Sequence, residues 1–230
     1  MTDKITRSEK RRIERQRKQI RNIVFISGAA LIVVAFFLIM SNRPVDDLVL
    51  PQARSFPVPV DGLTVGIPDA VVLVEAFEDF QCPSCLRFTE DFEPLIFQNY
   101  VYTGIARFTF RHYPFIGNES RSAANAAMCA NEQGRFWDFH DLLFANQLGE
   151  NIGAFSRRRL EAMADQMGLD MAAWQACFDD ESYESLINAD LEDARGRDVA
   201  GTPTIFVNGV MLDSFDYQTI AIAIEQAAGE

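Results

Sequence analysis

Two cysteines three positions apart, Cys82 and Cys85, are the residues of this 230-residue chain best suited to chemistry. Pro83 and Ser84 lie between them, and an apolar run comes directly before them. A cysteine pair at this spacing can bind a metal ion, form a structural bridge, or alternate between dithiol and disulfide. The predicted elements around the pair, together with the other cysteines, discriminate among these three uses.

The stretches on either side of the pair predict a strand and a helix. Residues 71–74 (VVLV) are continuously apolar, which is typical of a strand buried on both faces. Residues 86–101 carry apolar side chains at roughly helical spacing, and Pro94 within them predicts a kink. Residues 105–111 alternate as a second strand does. We therefore expect a βαβ unit with parallel strands, in which a Cys-x-x-Cys between strand and helix is typical of a thioredoxin-like redox motif.

Position along the predicted helix gives the two thiols different roles. Only a thiolate attacks a disulfide, so the attacking cysteine needs a lowered pKa. Cys82 would begin the helix, where unpaired N–H groups and the helix dipole favour negative charge. Pro83 suits the first turn because its missing N–H would be unpaired there. We predict that Cys82 is the nucleophile and Cys85 the more buried resolving thiol; a stable bridge without turnover is the disfavoured alternative.

A zinc site is the metal alternative, and the sequence does not favour it. Structural zinc needs four ligands, commonly arranged as two closely spaced pairs. The remaining cysteines, Cys129 and Cys177, are isolated, and His112 and His140 form no spaced pair with them. We therefore expect no metal site and no bound cofactor, and we expect both histidines to be structural.

The N-terminal part of the chain differs sharply from the rest in charge and hydropathy. Residues 1–22 carry nine Lys or Arg and three acidic residues, whereas the remainder is strongly acidic, which argues against nucleic-acid binding. Residues 23–40 are 18 consecutive uncharged residues, about 27 Å of helix, which suffices to span a membrane core. The basic arm before them predicts a cytoplasmic N-terminus and an extracytoplasmic domain. A cleaved signal peptide is the alternative, but no small-x-small cleavage site follows.

Four prolines in residues 41–60 predict a semi-rigid linker, after which residues 61–230 would fold as one domain. Cys129 and Cys177 would lie on two helices of that domain. Two such thiols often pair in an oxidising compartment, where a bridge closing so long a loop adds stability. Two separate buried thiols are the alternative, and the compartment favours the disulfide.

Three stretches, in this order, resemble the DsbA-like thiol-disulfide oxidoreductases, a branch of the thioredoxin superfamily. They are FEDFQCPSC (77–85), CANEQGRFWDFHDLLFANQ (129–147) and GTPTIFVNG (201–209). The resemblance covers about residues 61–228. It implies an α/β, thioredoxin-like fold with a mainly helical insertion at about residues 113–200, here preceded by one transmembrane helix. It also implies dithiol–disulfide exchange on exported proteins.

The resemblance also assigns residues opposite and beneath the cysteines. It implies that Pro203 is cis and lies against them, which excludes metal and leaves the Thr202 backbone to pair with substrate. The family usually carries an acidic residue six positions before the first cysteine. That position is Ala76 here, with Glu75 before it and Glu78 two positions later. Either glutamate is a candidate proton acceptor for the resolving thiol, although most such acids are simply exposed at a strand end.

We therefore expect a membrane-anchored, extracytoplasmic oxidoreductase that introduces disulfides into exported cysteine-containing proteins. The resemblance implies reoxidation by a membrane oxidase of DsbB or vitamin-K-epoxide-reductase type. The N-terminal helix would contact lipid, and a monomer is expected because no dimerisation domain is visible. Two alternatives remain: a reductase or isomerase that runs the same exchange in reverse, and a non-catalytic, membrane-tethered binding module of the same fold.

Overall fold

The computed structural model describes residues 15, 17–18, 20–22, 24–28, 31–36 and 45–229. The described positions before residue 45 are helical, and residues 45–229 belong to a separate folded unit. Within the described part of the chain, no helix is long and apolar enough to cross a membrane. The predicted basic arm, residues 1–22, and the predicted transmembrane segment, residues 23–40, lie partly outside the described residues and stay predictions.

The folded unit contains a mixed sheet of six strands, whose spatial order is β1-β2-β4-β3-β5-β6. The strands are β1 (Val60–Asp61), β2 (Thr64–Val65), β3 (Val72–Glu78), β4 (Ala106–His112), β5 (Thr204–Val207) and β6 (Val210–Met211). β3 runs parallel to β4, from Val72 opposite Ala106 to Glu78 opposite His112, and antiparallel to β5. The predicted βαβ unit with parallel strands is therefore confirmed, and its first strand lies inside the sheet with a neighbour on each side.

The helix after the cysteines contains two wide, π-helical turns. It consists of α1 (Pro83–Arg87), a π turn (Phe88–Phe92), α2 (Glu93–Ile96) and a second π turn (Phe97–Val101). The Glu93 N–H bonds to the Phe88 carbonyl, five residues back. Each wide turn inserts a residue into the helical repeat and so rotates the following residues around the helix. Glu93, next to Pro94, lies on the same face as the buried Cys85 and Thr89 and is fully buried.

Five helices lie between β4 and β5, so the expected α/β architecture with a mainly helical insertion is confirmed. They are α3 (Asn118–Asn131), α4 (Phe136–Ala145), α5 (Arg157–Gln166), α6 (Met171–Asp179) and α7 (Glu184–Gly196); α8 (Tyr217–Ala228) follows the sheet. α4 has many aromatic residues, and Phe136, Trp137 and Phe139 are buried in the main core. Cys129 on α3 and Cys177 on α6 are joined by a disulfide, with their Cα atoms 5.7 Å apart.

Residues 45–59, here called the N-terminal strap, differ from the linker that the sequence predicts over 41–60. The strap belongs to the same folded unit as the sheet, and the unit therefore begins at residue 45 rather than 61. Phe56 packs its ring against two aromatic rings of the core, at centroid distances of 6.0 and 5.9 Å. Proline favours an extended chain, but an extended chain can still bury its apolar side chains against a neighbouring surface.

Hydrogen bonds also hold the strap to the helical insertion. The side chain of Asn146 accepts a hydrogen bond from the Val49 N–H and donates one to the Val49 carbonyl, both at 2.8 Å. Asp47 accepts from the Arg159 guanidinium at 2.6 Å. The Asn146 contacts satisfy backbone groups of Val49 that a free linker would leave to water. Together with the Asp47–Arg159 pair, they hold the strap against the helical insertion.

Candidate active site

Cys82 occupies the N-cap of α1, where its backbone is extended and Pro83 begins the helix. Its carbonyl accepts hydrogen bonds from the N–H groups of Cys85 and Leu86, at 3.1 and 3.2 Å. The hydrogen bond from the Cys85 thiol contributes most to lowering the Cys82 pKa to about 6; burial opposes it, and backbone N–H groups of the first turn assist. Cys82 is therefore mostly thiolate at neutral pH in the reduced protein.

Cys85 has the opposite environment. Its side chain is fully buried, and burial raises its pKa well above the ordinary value of 9.0; the hydrogen bond to Cys82 and the charge of Glu78 raise it further. The reduced pair thus consists of a thiolate at the helix start and a protonated thiol one turn inside. This asymmetry matches the predicted roles of nucleophile for Cys82 and resolving thiol for Cys85.

A cis peptide bond joins Thr202 to Pro203, as the resemblance implied, and places this segment against the first cysteine. The Thr202 carbonyl lies 3.3 Å from the Cys82 sulfur and accepts from its thiol form. The Thr202 hydroxyl acts in the opposite sense and helps to lower the Cys82 pKa. Pro203 is buried, and it offers no N–H to a neighbouring chain.

Glu78 lies beside Cys85 beneath the pair. It is 1% exposed, and neither of its carboxyl oxygens makes a hydrogen bond within the described part of the chain. Burial raises the Glu78 pKa well above 4.5, and the negative charges of Glu93 and Cys82 add to the increase. A raised pKa brings this carboxyl group closer in acidity to a thiol, which favours proton exchange between the two.

Glu75, the other candidate acceptor, lies on the opposite face of β3. It forms ion pairs with Arg111 and Arg197, both at 2.9 Å, and both guanidinium groups also cover the ring of Phe77. Side chains alternate between faces along a strand, so Glu75 and Glu78 cannot share one site. Ala76 and Glu78 do share a face, which means that the acid has moved two positions along the face that the family uses.

Comparison with known proteins agrees with this geometry. A family model described as Thioredoxin matches residues 59–226, more than half of the chain. The chain belongs to the thioredoxin family. Together with the cysteine geometry above, this membership makes it a thiol-disulfide oxidoreductase.

Two kinds of relative resemble this thioredoxin-family protein. Disulfide bond formation protein D of Bacillus subtilis is 29% identical over 177 residues, which are 70% of this chain and 75% of that protein. The Na(+)/H(+) antiporter NhaA 3 of Salinispora tropica is 35% identical over 147 residues, which are 63% of this chain but only 21% of the antiporter. The second match therefore concerns one segment of a much longer protein.

Solved structures show the same fold. Oxidised BdbD from Bacillus subtilis superposes with a TM-score of 0.68 at 29% identity, covering 78% of this chain and all of that one. Wolbachia pipientis α-DsbA1 superposes with a TM-score of 0.65 at 22% identity, covering 75% of this chain and 94% of that one.

The sequence alone did not reveal how the helical insertion holds the cysteine loop of this thioredoxin-family protein. Gln147 donates from its side-chain amide to the carbonyls of Phe80 and Cys82, at 2.7 and 3.1 Å. Gln81 donates to the Ser120 hydroxyl at 2.8 Å and accepts from the Asn151 N–H. Gln147 ends a stretch that carries the family resemblance, which was the only available signal.

A cluster of buried charged side chains lies beneath the pair, and the sequence alone did not reveal it either. Glu93 and His140 are fully buried, and Arg54 of the strap pairs with Glu93 and, at 2.6 Å, with Asp141. The sequence predicts a structural role for His140 and places Arg54 in a linker. Carboxyl oxygens of Glu78 and Glu93 and a ring nitrogen of His140 lie within 4.8 Å of one another.

Titration of the reduced protein tests the asymmetry of the pair. Thiolate absorbance should rise with a midpoint at about pH 6, against an ordinary value of 9.0, and the second thiol should stay protonated throughout. Because the folded-state pKa of Cys82 is lowered, its contribution to the stability of the reduced form is full above about pH 9 and is lost as the pH falls through 6. A single midpoint near 9 would contradict the asymmetry.

Proposed function

We propose that this oxidoreductase works as an oxidant that introduces disulfides into exported proteins. The observation that carries the proposal is the contrast between the two thiols, with the pKa of Cys82 lowered to about 6 and that of Cys85 raised by burial. Stabilising the Cys82 thiolate stabilises the reduced form, and a stable reduced form makes the oxidised form a stronger oxidant. The reductase alternative predicts a weaker stabilisation of the thiolate, since the attacking cysteine of thioredoxin has a pKa of about 7.

In the proposed cycle, a substrate thiolate attacks the sulfur of Cys82 in the oxidised protein. The Cys82–Cys85 bond breaks, a mixed disulfide forms on Cys82, and Cys85 leaves with the electron pair and takes a proton from Glu78. A second thiolate of the same substrate molecule then attacks the substrate's own sulfur atom in the mixed disulfide. The substrate leaves with its new disulfide, and Cys82 leaves as a thiolate. The substrate is oxidised by two electrons and the cysteine pair is reduced by two.

Thr202 and Pro203 are proposed to form the opposing wall of the substrate site. The Thr202 carbonyl is already within 3.3 Å of the reactive sulfur. A polypeptide bound in extended form beside it would therefore present its own cysteine to Cys82. Backbone pairing of this kind is independent of side-chain identity, which suits an enzyme that acts on many exported proteins.

The proposed location is the outer side of a cell membrane, with residues 23–40 as an uncleaved anchor and the N-terminus in the cytoplasm. The hydropathy and charge of residues 1–40 support it. The Cys129–Cys177 disulfide also supports it, since such bonds persist in oxidising compartments. Reoxidation would come from a membrane oxidase of DsbB or vitamin-K-epoxide-reductase type, and the enzyme would act as a monomer that contacts lipid through its anchor.

The reduction potential of the Cys82–Cys85 pair tests the direction of the exchange. Equilibration with glutathione mixtures, followed by thiol counting, should give a value nearer ~−120 mV than ~−270 mV. A value at the thioredoxin end of this range would overturn the oxidant proposal in favour of the reductase alternative.

Replacing Glu78 by glutamine tests the proposed proton acceptor, with Glu75→Gln as the matched control. Without the Glu78 charge, the pKa of Cys85 should fall, because that charge helps to raise it. Disulfide closure should nevertheless slow by roughly 10²-fold, because the thiol has lost its proton acceptor. Titration and stopped-flow closure rates measure both effects. Equal rates in the two variants would remove Glu78 from the mechanism.

A further inference from the structure

Three buried side chains beneath the cysteine pair leave polar atoms without hydrogen bonds in the described part of the chain. They are both carboxyl oxygens of Glu78, one carboxyl oxygen of Glu93 and Nε2 of His140. All three side chains are at most 1% exposed. An unsatisfied buried polar atom is costly, and proteins rarely keep one without a use. Here three residues from β3, α2 and α4 direct such atoms towards one another within 4.8 Å.

The cluster leads from the cysteine pair towards the surface. Nε2 of His140 is 4.0 Å from a Glu93 carboxyl oxygen, and Nδ1 of the same ring is 2.9 Å from Asp141. Asp141 then pairs with Arg54, and these two side chains are 11% and 18% exposed. The imidazole ring therefore lies between a fully buried carboxyl group and one that solvent reaches.

We infer that Glu93, His140 and Asp141 form a proton path that connects Glu78 with solvent at the N-terminal strap. The inference rests on the proposed function, in which Glu78 exchanges a proton with Cys85 once in each half of the cycle. Glu78 is 1% exposed and cannot exchange that proton with water directly. Imidazole suits the middle position because one nitrogen can accept a proton while the other releases one.

Each proton has a donor and an acceptor both when the cysteine pair is reduced and when it is reoxidised. When Cys85 leaves the active-site disulfide, it takes the Glu78 proton, and Glu78 is reprotonated from His140 Nε2 by way of Glu93. His140 regains a proton at Nδ1 from the Asp141 side, where solvent supplies it. When Cys85 attacks a mixed disulfide during reoxidation, Glu78 accepts its proton and the same transfers run outward. A movement of about 1 Å would bring the 4.0 Å pair into hydrogen-bond range.

The charges around the path favour such transfers. Glu78 faces the two thiols of α1, Glu93 of α2 and Arg54 of the strap, and burial together with its negative neighbours raises its pKa. His140 faces Glu93 and Asp141, and His112 of β4 is near enough for the two imidazole rings to interact electrostatically. Arg54 compensates the charge of Glu93 and Asp141, so the path holds carboxylates without an uncompensated buried charge.

His140→Asn tests the path, because asparagine retains a hydrogen bond to Asp141 but carries no proton through the site. His112→Asn is the control: His112 is equally buried among the same aromatic rings and neighbours Glu78 across the sheet, but its ring forms no ion pair with Glu78, Glu93 or Asp141, and its Nε2 has no hydrogen-bond partner in the described part of the chain. In the full-length protein, quenched-flow thiol alkylation would give the rates of oxidation and reduction by glutathione across pH, in H2O and D2O.

We expect His140→Asn to slow both directions about tenfold at neutral pH and to increase the solvent isotope effect. The Cys82 midpoint and the reduction potential should stay unchanged, because a path alters rates and not the equilibrium. His112→Asn should stay within about twofold of the parent protein. Equal slowing in both variants, or slowing in neither, would overturn the path while leaving the proposed function intact. A parent protein that does not react with glutathione would instead overturn the proposed function.

Zinc binding provides a separate check, because the same three side chains could coordinate a cation. Equilibrium dialysis of the reduced parent protein against Zn2+ alone should show no binding that depends on His140. One equivalent of bound zinc that is lost in His140→Asn would assign the cluster to a metal ion and overturn the proton path.

Discussion

Cys82→Ser is expected to abolish disulfide exchange, and Cys85→Ser to trap the protein on its substrate. Cys82 holds the thiolate at the helix start, whereas Cys85 is fully buried and remains protonated. Without Cys82 no sulfur is placed for attack, so oxidative refolding of reduced ribonuclease should slow by roughly 10³-fold or more. Without Cys85, the mixed disulfide on Cys82 lacks its resolving thiol and should accumulate.

Non-reducing electrophoresis and mass spectrometry would detect the trapped species, and the double variant serves as its control. The Cys129–Cys177 disulfide should remain intact in all three variants, since neither of its sulfurs belongs to the reactive pair. An unchanged refolding rate in Cys82→Ser would favour the non-catalytic binding module instead. A mixed disulfide between substrate and Cys85 in the Cys82→Ser variant would reverse the assigned roles of the two cysteines.

Arg54→Met should strongly destabilise the folded unit. The Arg54 guanidinium pairs with the fully buried Glu93 and with Asp141, and its own side chain is only 18% exposed. Removing one partner of a buried ion pair leaves the other charge uncompensated, which typically costs about 3–5 kcal/mol. Urea unfolding monitored by circular dichroism would measure this loss as a lower midpoint.

Arg157→Met is the matched control for this substitution. Arg157 also pairs with two carboxylates, those of Glu161 and Asp179, but its side chain is 52% exposed. Water screens such a pair, so its removal should change the unfolding midpoint far less. Adding Glu93→Gln to Arg54→Met should recover part of the lost stability, because it removes the uncompensated charge. Similar midpoints for the two single arginine variants would contradict the buried ion pair.

The elements nearest the cysteines were predictable because their signals are local. The continuous apolar run of β3, the apolar spacing after Cys85 and the alternation in β4 each occupy adjacent residues. The choice between Glu75 and Glu78 was also accessible. Side chains alternate along a strand, and Glu78 has the same parity as Ala76, the position that the family uses.

The buried charged cluster was not predictable, because its members come from four separate segments. Glu93 is a charged residue on the buried face of its helix, and a carboxyl group at such a position is normally expected on the exposed face. Arg54 lies in an irregular, proline-containing segment without periodicity, so nothing local distinguished a packed strap from a free linker. Its partners Glu93 and Asp141 are 39 and 87 residues away along the chain.

Arg54 lies outside the segment that matches the thioredoxin family but inside the folded unit. The match to the thioredoxin family begins at residue 59, the last residue of the strap, whereas the charge balance beneath the cysteines depends on a guanidinium at residue 54. A fragment cut at the family boundary would contain both cysteines, Pro203 and Glu78, yet it would expose Glu93 and Asp141 without their counter-charge. A fragment that preserves this site must therefore include Arg54 and begin before it.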